Sequence, residues 1–560
     1  LSVGAAVAAT VQAKQPKTPE APADGSGDDA KPEDTGNPET DDDFGEALRA
    51  LFDVDDDDDD DDLGDAMRAL FAEDAGDTDA NAENDSSSQA TKSTEKAGKA
   101  KAGVAVSGSV VVSQETVNVK ALIEGLSTLT VGTLDVDAVD TIVRVSLAGA
   151  VSVATNSKKS VGVAGAFVAF VSKKDVAAIV GGAVPLALTA GTIGINAADR
   201  GRYVNAAAGL ALTTGAKGVG VTGSAVLAVG VSRTVAGLTG AADAKVTLLG
   251  TPALTIGSVS DGIWVQGAGA VSGGKTAGVG AAITIAVVEA EAGTELKHVT
   301  AATANTVDLS AKNETFVESI SFGVAAAAGA GGAGVGMVAA NGVRAAAIID
   351  VDNSVITATG NITLDAKNEA HLGATAGGVA IAGKAAVGVA VVVNVLSDTA
   401  RGGTDINVTD STLKSTGGAV IMRAVTDATL RGIAVGAAGS KGIALAGSAA
   451  ITVSAASTRV RVNAASVTDS KTTTTLQAVD TSDLTTIAGG FGLSIGTSGG
   501  AGGAGIAVAV GASNVLVQHD GTLRAQGAAL LEASSAQQYL TVAVGGAGGG
   551  AFSFGGSVAT

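Results

Sequence analysis

Residues 383–395 read Gly-Lys-Ala-Ala-Val-Gly-Val-Ala-Val-Val-Val-Asn-Val, a lysine-bearing turn followed by an alternation of valine with other small residues. Side chains on a β-strand point to opposite faces with a period of two, so this alternation predicts a strand and not a helix. A lysine-bearing turn also precedes the alternating residues 219–221, and residues 506–510 repeat the alternation. The sequence therefore predicts strands joined by tight corners that project lysine into water.

The pattern recurs as a unit of about 55 residues, which is the spacing of a repeat architecture. Unit starts lie near residues 145, 203, 264, 316, 371, 429, 483 and 539. A unit of this length is too long for one turn of a narrow solenoid, so each is expected to comprise two or three coils. We predict an all-β fold, an elongated parallel β-helix (β-solenoid) over residues 102–560, in which each unit buries its face against its neighbours.

Composition favours the same fold class. The chain has 79 glycines among 560 residues, only 2% aromatic residues and no cysteine. A globular core of this size would use large aliphatic and aromatic side chains, so the interior must be thin and built from small or β-branched residues. Without cysteine, neither a disulfide nor a thiolate metal site can form.

The net charge of −21 belongs almost entirely to one segment. Residues 13–100 contain 28 Asp and Glu against 8 Lys and Arg, so the rest of the chain is nearly neutral. Residues 1–14 match the first part of a solenoid unit, whose second part resumes at 102. Residues 15–101 are therefore predicted to be an acidic, largely disordered insertion at a corner, because such a segment cannot bury enough apolar area to offset its chain entropy.

The insertion contains two near copies of a nine-residue motif, at 44–52 and 63–71. Apolar residues at helical spacing predict short amphipathic helices, which at about two turns would need a partner to be stable. The motifs are candidates for docking into a basic-rimmed groove of a partner. The alternative is a tandem duplication in a solvated loop. The docking candidates are Phe44, Leu48, Leu51, Phe52, Leu63, Met67, Leu70 and Phe71.

A run of eight aspartates lies between the two motifs and is the only weak candidate for metal binding. It could gather calcium loosely, but it lacks the spaced ligands and the turn glycine of an EF-hand. No other cofactor is expected. The run comprises Asp55, Asp56, Asp57, Asp58, Asp59, Asp60, Asp61 and Asp62.

Deleting residues 15–101 is expected to leave the far-ultraviolet circular dichroism and the melting of the solenoid nearly unchanged, because the insertion leaves the repeats and returns to them. A large loss of thermal stability in the deletion variant would contradict the assignment of these residues to a loop.

The sequence offers no constellation of catalytic residues. His298, His371 and His519 lie in different units, and neither an H-E-x-x-H nor a G-x-S-x-G motif is present. Polysaccharide lyases and hydrolases with β-helical folds align carboxylates across coils. The acidic pairs 350/352 and 405/410 resemble solvated corners instead. We predict no catalysis.

We also expect neither a nucleic-acid partner nor a transmembrane helix. The solenoid is nearly neutral, and the acidic insertion would repel phosphates. Residues 322–340 carry no charge, but they are mostly alanine and glycine, and the equivalent stretches of other units carry a lysine. A transmembrane helix is therefore not predicted.

The repeats resemble those of a known family. Residues 361–366 (Asn-Ile-Thr-Leu-Asp-Ala), 378–382 (Gly-Val-Ala-Ile-Ala) and 387–395 are similar to the repeats of leukotoxin-family filamentous adhesins. These are large type V-secreted proteins of Gram-negative bacteria, similar in architecture to filamentous haemagglutinins. The resemblance covers residues 1–14 and roughly 102–560. It implies export across the outer membrane, a β-helical shaft and adhesion, and it supplies no catalytic residues; the acidic insertion is not part of the pattern.

From this resemblance we predict that the chain is a structural or adhesive shaft of a large exported protein at the bacterial cell surface. Expected partners are a ligand on a host or neighbouring cell, or further copies that associate along solenoid edges. The alternatives are a secreted cytotoxin that acts on target-cell membranes and a cell-envelope scaffold or lattice protein. The chain begins at Leu1 and stops within a repeat-like pattern, so we expect it to be a fragment.

Overall fold

The prediction of an all-β parallel solenoid is confirmed by a computed structural model, which describes residues 2–10, 103–156 and 158–560. Within these ranges the regular structure is entirely β-strand, arranged in three parallel sheets. Two sheets are built from long strands and the third from short ones. Every described coil passes from sheet 1 through the short sheet 2 to sheet 3, and then returns to sheet 1.

Sheet 1 contains eleven strands. They are β1 (Ser2–Thr10), β2 (Gly103–Glu124), β5 (Lys159–Gly182), β8 (Lys217–Gly240), β11 (Ala277–Lys297), β14 (Gly332–Asp352), β17 (Ala385–Ser397), β18 (Thr404–Thr409), β21 (Ile443–Val462), β24 (Gly500–His519) and β27 (Phe552–Ala559).

Sheets 2 and 3 contain eight strands each. Sheet 2 comprises β3 (Thr128–Thr130), β6 (Leu186–Thr189), β9 (Val246–Leu249), β12 (Val299–Ala304), β15 (Val355–Ala358), β19 (Thr412–Ser415), β22 (Val467–Ser470) and β25 (Thr522–Ala525). Sheet 3 comprises β4 (Thr133–Ala154), β7 (Thr192–Thr213), β10 (Ala253–Gly274), β13 (Val307–Ala327), β16 (Ile362–Ala382), β20 (Val420–Ser440), β23 (Thr474–Ser494) and β26 (Ala529–Gly548).

Each unit of about 55 residues forms a single coil. Tyr203 pairs with Trp264 on the next strand of sheet 3, and His371 pairs with Phe316 on one side and Thr429 on the other. The expectation of two or three coils per unit is therefore wrong. It assumed strands of ordinary length, about five or six residues, whereas the long strands here contain 20 to 24 residues.

The interior changes along the coil from large to small side chains. Where sheet 2 closes the coil, leucine, isoleucine and valine fill the core, as at Leu188, Ile256 and Ile356. Full burial of such a side chain stabilises the fold by about 1.5–3 kcal/mol. Near the corner between sheets 3 and 1 the core is mostly alanine. The coil therefore has a thick half and a thin half.

The thin half brings two backbones together. A Cβ atom added at Gly220 would lie 2.7 Å from the carbonyl oxygen of Gly273 on the opposite sheet. At Gly436 the added atom would overlap the carbonyl oxygen of Gly447 across the same coil. Only glycine allows backbones to approach this closely, so inward glycines make the thin half possible.

We define the thin half as eight segments of the chain. Each segment runs from a strand of sheet 3 through the corner into the following strand of sheet 1. The eight segments are residues 145–171, 204–229, 265–287, 317–342, 372–395, 430–453, 484–510 and 540–559.

Buried polar residues stack between the two halves. Asn341 donates to Asn394 in the next coil at 3.0 Å, and Asn313 donates to Asn368 at 2.8 Å. All four side chains are buried. Amide stacks of this kind satisfy one another along the axis and therefore fix the register between neighbouring coils.

The first strand lies elsewhere than expected. Ser2 pairs with Ala105, so β1 lies beside β2 in sheet 1. An insertion at the corner would instead place residues 1–14 in sheet 3, beside β4. Both strands of the thin half alternate small residues in the same way, so this pattern does not distinguish the two sheets.

Candidate functional site

The predicted metal and docking residues lie outside the described residues. This applies to the aspartate run 55–62, to the motifs at 44–52 and 63–71, and to the predicted disorder of the acidic insertion. Their roles in calcium binding and partner docking stay predictions.

The three histidines lie in separate coils. His298 occupies the turn after β11 with a positive φ of 53°, and His371 is exposed on the outer face of β16. His519 ends β24, where its Nε2 atom lies 3.3 Å from the Oγ1 atom of Thr468 and burial lowers its pKa. The structure does not bring any two of them together.

Of the acidic pairs, Asp410 lies at an exposed corner, where Asn463 donates to it at 2.8 Å. Asp352 ends β14 at the corresponding corner, and Asn353 donates to it at 2.9 Å. Asp405 is fully buried in β18, so its expected solvated position is wrong. Two nitrogens of Arg459 donate to its two carboxylate oxygens, each at 2.7 Å. The arginine comes from the next coil, 54 residues further along the chain, and local sequence therefore gave no sign of it.

Asp350 also belongs to an ionic network instead of a corner. Sheet 1 is interrupted between β17 and β18, and Arg401 in this interruption reaches back over the outer face of the sheet. Its guanidinium lies 2.5 Å from Glu291 and 3.4 Å from both Glu295 and Asp350. Burial tends to lower the pKa of Arg401, but these carboxylates, with Glu291 first, raise it above its usual value. One guanidinium group thus contacts three carboxylates that belong to two neighbouring strands, β11 and β14.

An ionic cluster that was not predicted from the sequence lies inside the first coils. The ammonium group of Lys174 is buried and lies 2.6 Å from Asp140, 2.8 Å from Asp199 and 3.8 Å from Glu115. Arg144 also lies 3.8 Å from Glu115. Three carboxylates thus share two cations. The signal was available, because Lys174, Asp199 and Glu115 all fall on inward positions of alternating strands.

Burial governs the titration of this cluster. It raises the pKa of Glu115 and of Asp199 against the lowering effect of Lys174. For Lys174 itself, burial lowers the pKa, but the charge of Asp199 and hydrogen bonds to Asp140 and Asp199 raise it above its usual value. Burial also raises the pKa of Tyr203 to about 12. The ammonium group of Lys174 therefore stays charged at neutral pH, and its charge favours the ionised form of Glu115 and Asp199 against the effect of burial.

Aromatic rings cover the cluster on one side. Tyr203 stacks on Trp264 with ring centroids 4.1 Å apart, and Phe170 lies 5.0 Å from Tyr203. A cavity of about 20 Å³ beside Lys174 and Tyr203 has room for a single water molecule. The cluster joins side chains of neighbouring coils and thereby holds those coils in register.

The outer surface of the thin half is the largest feature that could bind a partner. Its eight segments contain only two charged residues within strand interiors, Glu318 and Arg431. The remaining charges are lysines at the corners: Lys158, Lys159, Lys217, Lys275, Lys384 and Lys441. In contrast, the thick half carries most of the acidic and basic residues of the solenoid on its outer faces. Each coil therefore presents one charged half and one almost uncharged half.

A groove lies on the sheet 3 side of this surface. It has a volume of about 630 Å³ and is lined by Phe316, Glu318, His371, Gly373 and Arg431, among others. Glu318, Gly373 and Arg431 are paired in register on three successive strands. A Cβ atom at Gly373 would overlap the Glu318 carboxylate, so the glycine forms the floor of the groove.

Within the described residues, no helix could span a membrane. The uncharged residues 322–340 form the end of β13, a turn and the start of β14.

Comparisons with protein-family models, curated proteins and solved structures found no match to this chain.

Proposed function

We propose that the chain is a structural and adhesive shaft segment of a large exported bacterial surface protein, and that it has no catalytic activity. The observation that carries this proposal is the continuous parallel pairing through eight successive coils, around a closed interior. A fold of this kind offers repeated outer faces for binding and not a single enclosed site. The resemblance of the repeats to filamentous adhesins supports the cell-surface location.

A second candidate function is a secreted cytotoxin that acts on target-cell membranes. The nearly uncharged thin half favours it, because extensive exposed apolar surface marks either protein or membrane contact. A cell-envelope scaffold is the third candidate, and it would use contacts between solenoids.

The three candidates predict different results for the purified full chain. The adhesive shaft should bind saturably to intact bacterial or host cells and release no dye from phospholipid vesicles. Dye release at concentrations that give half-maximal binding would favour the cytotoxin. A regular lattice in negative-stain images would favour the scaffold. The chain without its first 101 residues, tested in parallel, assigns any cell binding to the solenoid or to the segment before it. Removal of residues 15–101 alone would also detach β1 from β2, because Thr10 lies beside Ser113 and the few remaining residues are too short to return to Gly103.

A further inference from the structure

The sheet 3 face of the thin half is large enough to hold a second protein. About ten uncharged residues per strand span about 33 Å, and eight strands about 4.8 Å apart span about 38 Å, which gives roughly 1,250 Å². A stable interface needs about 800 Å² from each partner. The exposed apolar side chains include Leu147, Val271, Phe322, Ile381, Val435 and Phe491.

The two charges on this face have opposite signs and a symmetric arrangement. Glu318 and Arg431 lie in register on either side of Gly373, so each is one strand spacing, about 4.8 Å, from the glycine. Consider a two-fold axis parallel to the strands and level with Gly373. It would place Glu318 of one copy opposite Arg431 of the other, and the reverse, with the two Gly373 residues facing each other.

Such self-complementarity is what a two-fold interface requires, because the same patch must contact itself. The groove at this position has the volume to accept side chains from the opposing copy, and the Glu318 carboxylate lies over Gly373, where Arg431 of the opposing copy would reach it. The half-buried Glu318 carboxylate, whose pKa burial raises against the opposing effect of Arg431, would gain a second guanidinium nearby.

We propose that the sheet 3 face of the thin half binds a second copy of the chain face to face, about a two-fold axis at the level of Gly373. This assembly uses sheet faces and not the sheet edges expected from the sequence, and it goes beyond the adhesive role. A lipid surface fits less well, because immersion of the thin half would carry the corner lysines into hydrocarbon at about 2.5–3.5 kcal/mol each.

Charge exchange tests the symmetry directly by sedimentation equilibrium of the full chain. The wild-type protein is expected to form dimers. Glu318→Arg and Arg431→Glu should each raise the dimer dissociation constant at least about ten-fold, since each places like charges opposite one another. The double variant should restore it to within about three-fold of wild type. Glu314→Arg, on the same strand and face but outside the thin half, is the matched control and should leave the constant unchanged.

A second pair of variants tests which face is used. Ile381→Lys on sheet 3 should abolish the dimer, whereas Val389→Lys on the sheet 1 face should not. Circular dichroism and Trp264 fluorescence verify that each variant is folded. A wild-type protein that remains monomeric at about 100 μM would overturn the proposal, whether or not it floats with anionic phospholipid vesicles. Failure of the double variant to recover would overturn the proposed axis. Cell binding is measured separately, so loss of adhesion and loss of dimerisation are distinguishable.

Discussion

Replacing Lys174 with methionine is expected to destabilise the first coils of the solenoid by about 3–5 kcal/mol, because it leaves buried carboxylates without their cation. Asp140 and Asp199 would each lose a hydrogen bond shorter than 2.9 Å. Methionine keeps the length of the side chain and its packing, so the loss reports on charge. Tryptophan fluorescence during guanidinium unfolding measures it locally, since Trp264 is the single tryptophan and lies close to the cluster.

The adjacent residue provides the control. Lys173 points outward on the same strand, and Lys173→Met should change the free energy of unfolding by less than about 0.5 kcal/mol. Equal unfolding midpoints for the two variants would contradict a stabilising role for the buried cluster.

The destabilisation should also depend on pH. Burial raises the pKa of Glu115 and Asp199 in the folded protein, and removal of the ammonium group raises both further. Below the unfolded values, 4.5 and 3.8, these acids are protonated in both states and the penalty is absent. It develops as the pH rises through those values. Lys174→Met should therefore lose less stability relative to wild type at pH 4.5 than at pH 7.5.

The second large effect is expected at Gly436. In Gly436→Ala the new Cβ atom would overlap the carbonyl oxygen of Gly447 and lie 2.8 Å from that of Gly388. Both obstacles are backbone atoms of paired strands, which cannot rotate away. We expect a loss of about 3 kcal/mol, the upper end for overpacked interiors. Faster amide hydrogen exchange in peptides covering residues 420–462 would report it.

The same strand contains the matched control. At Gly439 an added Cβ atom has no neighbour within 4 Å, and this glycine has no positive φ. Gly439→Ala should be neutral or stabilising by up to about 1 kcal/mol, because alanine has less conformational freedom when unfolded. If both variants exchange like the wild type, the two sheets of the thin half do not approach closely at Gly436.

The fold class was predictable because alternation acts locally. In a run such as 387–395, the alternation of residue types assigns each residue to one face of the strand. The repeat of about 55 residues then indicates that equivalent strands stack on one another. The number of coils per unit was not predictable in the same way. Alternation continues through a strand of 22 residues as readily as through three short strands, so it does not mark where the chain bends.

The ionic contacts were harder to predict, because their partners are one coil apart. Asp405 reads as a loop residue beside Gly402 and Gly403, and only pairing with the next coil brings Arg459 to it. Lys174 reads as one of two adjacent surface lysines at 173 and 174. Side chains of β5 point alternately outward and inward, so Lys173 lies outside and Lys174 inside. Applying this alternation to the sequence would have indicated the interior cluster. The position of Glu318 and Arg431 on either side of Gly373 could be recognised only from the pairing register of the three strands.

One coil per repeat has a consequence for reach. Each additional unit of about 55 residues advances the solenoid by only about 4.8 Å, so a thousand residues of this pattern would extend about 87 Å. A narrower solenoid would extend much further with the same amount of protein. Each added coil instead contributes a strip of surface to each of the two long sheets, and that strip is about 70 Å long and about 4.8 Å wide. Growth of such a protein therefore adds more outer surface than distance.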